Sequence, residues 1–226
     1  MAMINKGVIV EFDFTVLNGA EILFETAKNL LKGVGVELDA HLEAAHLAGG
    51  NYHGGLLELF EKVGCDADAA ALSRELNSAF NAAVAEKTPQ AVTSAFREFL
   101  NALLEKGVKV VVATHGDAAA LASAIGDERV VVYTETSSTY GSCKWDVWKR
   151  ACRQNGLHEM LTAAVTGSGF GVKAVLIAGM SALGVVNDRV AWQDFGGADD
   201  VVKALDKGAA DTVLKLSLIH ISEPRD

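Results

Sequence analysis

Residues 8–18 read Val8-Ile9-Val10-Glu11-Phe12-Asp13-Phe14-Thr15-Val16-Leu17-Asn18. Gly7–Phe12 is a short apolar run rich in β-branched residues, the pattern of a buried strand. Polar residues and Gly19 then break it, so 12–19 reads as a loop at the strand's carboxyl end. Two acids, Glu11 and Asp13, fall at that end. Two carboxylates so close repel unless a cation or a proton separates them, which makes them candidates for chemistry rather than for solvation.

Outward from this stretch the pattern changes twice. From Ala20 to about Glu86 apolar residues recur three and four apart: Ile22, Phe24, Ala27, Leu30 and Leu31, then Leu56, Leu57, Leu59 and Phe60, then Leu72, Leu76, Phe80 and Val84. That spacing predicts an all-helical block, punctuated by glycine pairs at 49–50 and 54–55 and by Asp66–Asp68. After Lys87-Thr88-Pro89 strands and helices alternate. Helices are predicted at 94–106, 117–125, 145–155, 171–178 and 198–205, with strands at 108–113, 130–133, 163–165 and 183–186. Such alternation gives a parallel sheet with helices on both faces, and ligands then bind beyond the carboxyl ends of the strands. The loops at 11–18, 114–117, 141–144 and 166–171 are therefore expected to converge.

Composition narrows the classes. The chain has 226 residues, with 29 acidic against 20 basic side chains and a net charge of −9. Half the residues are hydrophobic, enough to form a core and to exclude intrinsic disorder. An acidic chain without a basic cluster is a poor nucleic-acid partner, and no apolar run reaches the ~20 residues of a membrane span. No secretory leader is visible, and Cys65, Cys143 and Cys152 lack metal-type pairing. The expectation is a cytoplasmic protein with reduced thiols. Residues 216–226, LSLIHISEPRD, resemble a translated assembly scar and are set aside as a non-native tail.

Four segments in order carry a resemblance to the haloacid dehalogenase (HAD) superfamily. The first is Val8–Asn18, similar to that family's strand followed by DxDxT or DxDxV. The second is Val110–Gly116, an apolar strand ending in Thr114. The third is Lys144, followed by Trp145. The fourth is Thr166–Met180, TGSGFGVKAVLIAGM, similar to GDSxxGVxAAxAAGM. With a helical block between the first and second, the chain resembles the helical-cap branch that includes phosphoglycolate phosphatase and β-phosphoglucomutase. The resemblance implies an α/β fold, a Rossmann-like parallel sheet with an inserted helical cap. Its expected boundaries are 1–18 and 88–215 for the core and 19–87 for the cap, hinged at 16–20 and 86–90.

The resemblance also implies roles. The Glu11 carboxylate would attack phosphorus, and Asp13 would protonate the leaving oxygen and then activate water. Thr114, with the amides of His115 and Gly116, would hold phosphoryl oxygens, and Lys144 would offset charge between them and the nucleophile. Mg²⁺ would sit on Glu11 and on the Asp13 carbonyl, and the substrate would be a small phosphorylated metabolite. Two positions depart from the pattern. Glu11 stands where the family has aspartate, displacing the carboxylate by about 1.5 Å, and ~1 Å at a reacting atom can cost roughly a hundredfold in rate. Gly167 stands in the slot of a metal-binding aspartate. A rival register would use Asp188 and Asp194 instead, at the loss of the AGM match.

Plainer readings stand beside these. Thr114 could cap the helix near Asp117, His115 could be structural, and Gly167, Gly169 and Gly171 could serve close packing rather than a phosphate. Trp145 and Trp148 read as packing residues. Two functions follow: a weak phosphatase-type hydrolase, or a catalytically inactive HAD-fold protein acting as a binding or regulatory module.

Overall fold

The computed structural model describes residues 6–48, 51–134 and 144–219. Its centre is β1 (Gly7–Glu11), all five residues of which are buried. β1 pairs in parallel with β2 (Lys109–Thr114) on one side and β4 (Thr162–Thr166) on the other. With β3 (Val131–Thr134), β5 (Ser181–Val185) and β6 (Asp200–Val202) it forms a six-stranded sheet in the order β3-β2-β1-β4-β5-β6, every pair parallel. Parallel sheets are covered on both faces, which is why GVIVE needs no polar side. Val8 and Val10 face one apolar layer with Phe96, Phe99 and Val213. Ile9 faces the other, with Val111, Trp148, Cys152 and Val172. Trp148 thus packs, as its helical spacing suggested.

The polar stretch after β1 is not an open loop. Phe12–Thr15 coils into a single helical turn, α1, with Phe12 and Asp13 buried. The Thr15 hydroxyl donates to the Glu11 carbonyl at 2.7 Å and the Val16 amide to the Phe12 carbonyl at 3.0 Å. Four residues are too few to show periodicity, so the turn is invisible in the pattern.

Between β1 and β2 lies the helical insert, α2 (Gly19–Gly33), α3 (Ala40–His46), α4 (Tyr52–Val63) and α5 (Ala69–Ala91), followed by α6 (Ser94–Glu105), whose Phe96 and Phe99 pack on the sheet. Side-chain caps start several of them. Asp39 accepts from Leu42 N at 2.8 Å, Asp68 from Ala70 N and Ala71 N, and Thr93 from Phe96 N at 3.3 Å. Two expectations are corrected here. Gly54 and Gly55 lie in the first turn of α4 instead of breaking it. A β-carbon at Gly55 would stand 1.7 Å from the His46 carbonyl oxygen, so this glycine serves a close helix approach. Residues 86–90 are helical: α5 continues through Pro89 to Ala91, and the chain passes back to the core at Val92–Thr93. Pro89 has no amide to bond the Ala85 carbonyl, and the helix stops two residues beyond it. Gly49 and Gly50 lie outside the described residues.

The remaining elements follow the alternation: α7 (Ala118–Ile125), α8 (Lys144–Gln154), a 3-10 turn (Glu159–Leu161) and α9 (Gly169–Ile177). The helix expected at 198–205 does not form. Its place is taken by the short edge strand β6, held by the Asp199 amide donating to the Ala182 carbonyl at 2.9 Å and the Ala182 amide to the Asp199 carboxylate at 2.7 Å. A final helix, α10 (Lys207–Ile219), follows, with Ala209, Ala210, Val213 and Leu216 buried. α10 therefore runs into the stretch set aside as a tail, and Leu216 belongs to the core; residues 220–226 lie outside the described residues. Among the described residues no helix is long and apolar enough to cross a membrane.

Candidate active site

The carboxyl ends of β1, β2 and β4 bring Glu11, Asp13, Thr114, His115, Gly116 and Gly167 together. Glu11 ends β1 and is buried; its Oε2 accepts from the Thr166 hydroxyl at 2.5 Å and from the Gly167 amide at 3.3 Å. Asp13, on α1, is fully buried. Its Oδ1 accepts from the Thr114 hydroxyl at 2.7 Å, and its Oδ2 accepts from the His115 amide at 2.7 Å and lies 2.8 Å from His115 Nδ1. The Gly116 amide donates to Thr114 Oγ1 at 2.9 Å. These contacts compensate burial of charge, since carboxylates leave water only when hydrogen-bonded or paired. The third-segment lysine is not part of this description: Lys144 opens α8, but its side chain and residues 141–143 lie outside the described residues.

The alternative role of Thr114 is taken by another residue. Asp117 caps α7, accepting from Ala119 N at 2.8 Å and Ala120 N at 3.1 Å. Thr166 was not singled out in the sequence. Its only signal there is a hydroxyl ending a strand just before Gly167.

Gly167 is sterically closed. A β-carbon there would lie 1.8 Å from the Phe14 carbonyl oxygen. At Gly169 it would lie 2.4 Å from the Asp194 carbonyl oxygen, and at Gly171 1.9 Å from Thr166 Oγ1. The three glycine amides have partners within the chain: Glu11 for Gly167, Gln193 Oε1 at 2.8 Å for Gly169, and Ser168 Oγ at 2.9 Å for Gly171. TGSGFG is thus a close-packing device at the start of α9 and not an open phosphate cradle. The rival acids are both turned to solvent. Asp188 is exposed, and the exposed Asp194 accepts from Gly196 N and lies 3.5 Å from Lys173 Nζ.

The donor set does not fit the Mg²⁺ that the resemblance implies. Among the described residues no group of three His, Cys, Asp or Glu side chains is placed to hold a metal ion. Of the expected ligands, Glu11 Oε2 already accepts from Thr166 and Gly167, and the slot of the further acid is a glycine with no room for a side chain, which leaves Glu11 and the Asp13 carbonyl alone.

The insert covers this cluster from the other side. Phe80 of α5 stacks on Phe14 at 5.8 Å between ring centroids and meets His115 edge-on at 6.4 Å. Tyr52 opens α4; burial pushes its phenol well above the usual value, and the Glu11, Glu43 and Asp13 charges push it further the same way. A neutral phenol therefore sits near the acids at physiological pH.

No protein-family model matches this sequence, and no curated protein does. Solved structures do match. β-Phosphoglucomutase from Clostridium difficile superposes with a TM-score of 0.75 at 13% identity, covering 97% of this chain and 100% of that one. A phosphonoacetaldehyde hydrolase-like protein from Oleispira antarctica gives 0.70 at 15% identity, over 98% and 96%. CbbY from Rhodobacter sphaeroides, solved with phosphate, gives 0.65 at 15%, over 89% and 95%. At these identities the likeness establishes the fold alone, a six-stranded parallel α/β core with a helical insert after the first strand, as in these HAD-type structures.

Proposed function

We propose that this chain keeps the phosphatase-type HAD fold but works as a binding or regulatory module, its phosphoryl-transfer rate reduced to a trace. One observation carries the reading: the donors a phosphoryl group would need, the Thr114 hydroxyl and the His115 amide, are both engaged by Asp13. Transfer depends on preorganised donors aimed at the oxygens that gain charge. Here those donors serve the chain's own carboxylate. The lengthened Glu11 and the closed position 167 point the same way. In this reading no step runs through a metal.

The second reading is a slow phosphatase acting on a small phosphorylated metabolite. It is favoured by the burial of Glu11 and Asp13 at the strand end, where the family places its nucleophile and its acid–base group. Glu11 would then attack phosphorus, Asp13 would exchange protons with the leaving oxygen and water, and Thr114, His115, Gly116 and Lys144 would hold the phosphoryl oxygens. CbbY has also been solved as a variant with xylulose-1,5-bisphosphate, which makes sugar phosphates the first substrates to try. A cytoplasmic location belongs to both readings and rests on the free thiols of Cys65 and Cys152.

Hydrolysis of p-nitrophenyl phosphate and of a sugar-phosphate panel, with Mg²⁺ present, separates the two. The expected result is a trace rate that Asp13→Asn leaves unchanged. Brisk turnover abolished by Asp13→Asn would establish the second reading.

A further inference from the structure

Arg189 follows β5 and belongs to the core. Its backbone is fixed by Asn187, whose Oδ1 accepts from Arg189 N at 3.0 Å and from Val190 N at 3.3 Å. The neighbouring Val190 is buried. From this anchored base the side chain reaches across to the helical insert. Nε lies 3.4 Å from Glu21 Oε2 of α2, and Nη2 lies 3.7 Å from Glu43 Oε2 of α3. The guanidinium carbon stands 3.8 Å from the centroid of the Phe24 ring, also on α2. One core residue thus meets three insert residues on two helices.

The contact is not solvated decoration. Side-chain exposure is 20% for Arg189 and 7% for Glu43, against 47% for Glu21. Burial pushes the Glu43 carboxyl above its usual range, Arg189 opposes that, and Glu21 adds to it. Yet among the described residues Nε and Nη2 find no hydrogen-bond partner. The guanidinium is held by charge and by the ring face instead of by a bidentate fork. Such a joint needs little angular precision to form or release, unlike a packed apolar seam. The chain joins insert to core at two short passages, Val16–Asn18 and Val92–Thr93. On the Phe14, Phe80 and His115 side the contact is made by rings. On the Arg189 side it is made by charge.

We propose that Arg189, gripping Glu43, Glu21 and Phe24, is a latch that holds the helical cap closed over the Glu11–Asp13 cluster. Removing it frees the cap without unfolding the core. The proposal concerns cap position and holds whether or not the centre turns over.

Hydrogen–deuterium exchange on the full chain tests it, comparing Arg189→Met, Arg189→Lys, Glu43→Gln and the Arg189→Met/Glu43→Gln pair. Arg189→Met is expected to speed exchange at least fivefold in α2, in α3 and around His115, leaving β1 and β4 unchanged. Glu43→Gln should produce a smaller rise in the same segments, and the pair no more than Arg189→Met alone, because both remove one interaction. Arg189→Lys should recover part of the protection. Unchanged cap exchange in Arg189→Met, or an equal rise throughout the core, would overturn the latch. Should Arg189→Met not fold, unchanged cap exchange in both Glu43→Gln and Arg189→Lys would overturn it.

Discussion

A β-carbon at position 167 meets the Phe14 carbonyl oxygen at 1.8 Å, so restoring the family's acid there requires the backbone of α1 to move. Gly167→Ala should cost roughly 1–3 kcal/mol, the usual range for overpacking, read as a lower urea midpoint at an unchanged slope. Gly167→Asp should cost at least as much and restore no activity. Thr166 sits on the other carboxylate. Thr166→Val leaves a buried acceptor without its hydroxyl donor and should cost about 1–3 kcal/mol, with Thr166→Ser retaining most of the stability. Glu11 and Asp13 were legible in the sequence because two acids at a strand end conflict unless something compensates them, and Thr114 through the resemblance of its strand. What compensates them was not legible. Thr166, and the second role of His115 as a partner of Asp13, depend on registers between strands that lie a hundred or more residues apart.

Helix starts carry much of the local order. Hydrogen bonds from Ala71 N and Ala70 N, with help from the charges of Arg74 and His53, hold the Asp68 carboxyl below its usual 3.8. A carboxyl depressed in the folded state contributes stability that is complete above the unfolded value and is lost as pH falls through the folded one. Amide exchange in the first turn of α5 should therefore quicken as pH drops below about 4, after correction for intrinsic rates. Asp68→Ser, which caps without titrating, should abolish that pH dependence. At the return passage, Thr93→Ala removes the α6 cap and should cost about 1 kcal/mol by chemical denaturation. Elements long enough to show a period, such as α5 and α6, were readable in the sequence. The misreadings arose where tertiary contacts decide. At Asp199 hydrogen bonds with Ala182, and at Asp200 strand pairing opposite Leu183, override a weak helical pattern, and α1 is too short for any pattern to emerge.

At the scale of the molecule, sheet and insert were legible because the change from helical spacing to strand–helix alternation reports the order of the layers. The cap's hold on the core was not, because Arg189 and Glu43 lie 146 positions apart and neither stands out alone. Burial pushes the Cys152 thiol up to about 11. Iodoacetamide at pH 8 should therefore modify the more exposed Cys65 first and reach Cys152 only on unfolding, as mass spectrometry of timed samples would show. The central claim is that the strand-end donors already have partners and leave no place for a metal and a phosphoryl group. Thermal unfolding with and without Mg²⁺ and beryllium fluoride, a mimic of a phosphorylated carboxylate, tests that claim most directly. The account predicts an unchanged midpoint; a rise of roughly 5–10 °C, the size expected of a ligand near a hundredfold its dissociation constant on a chain of this length, would contradict it.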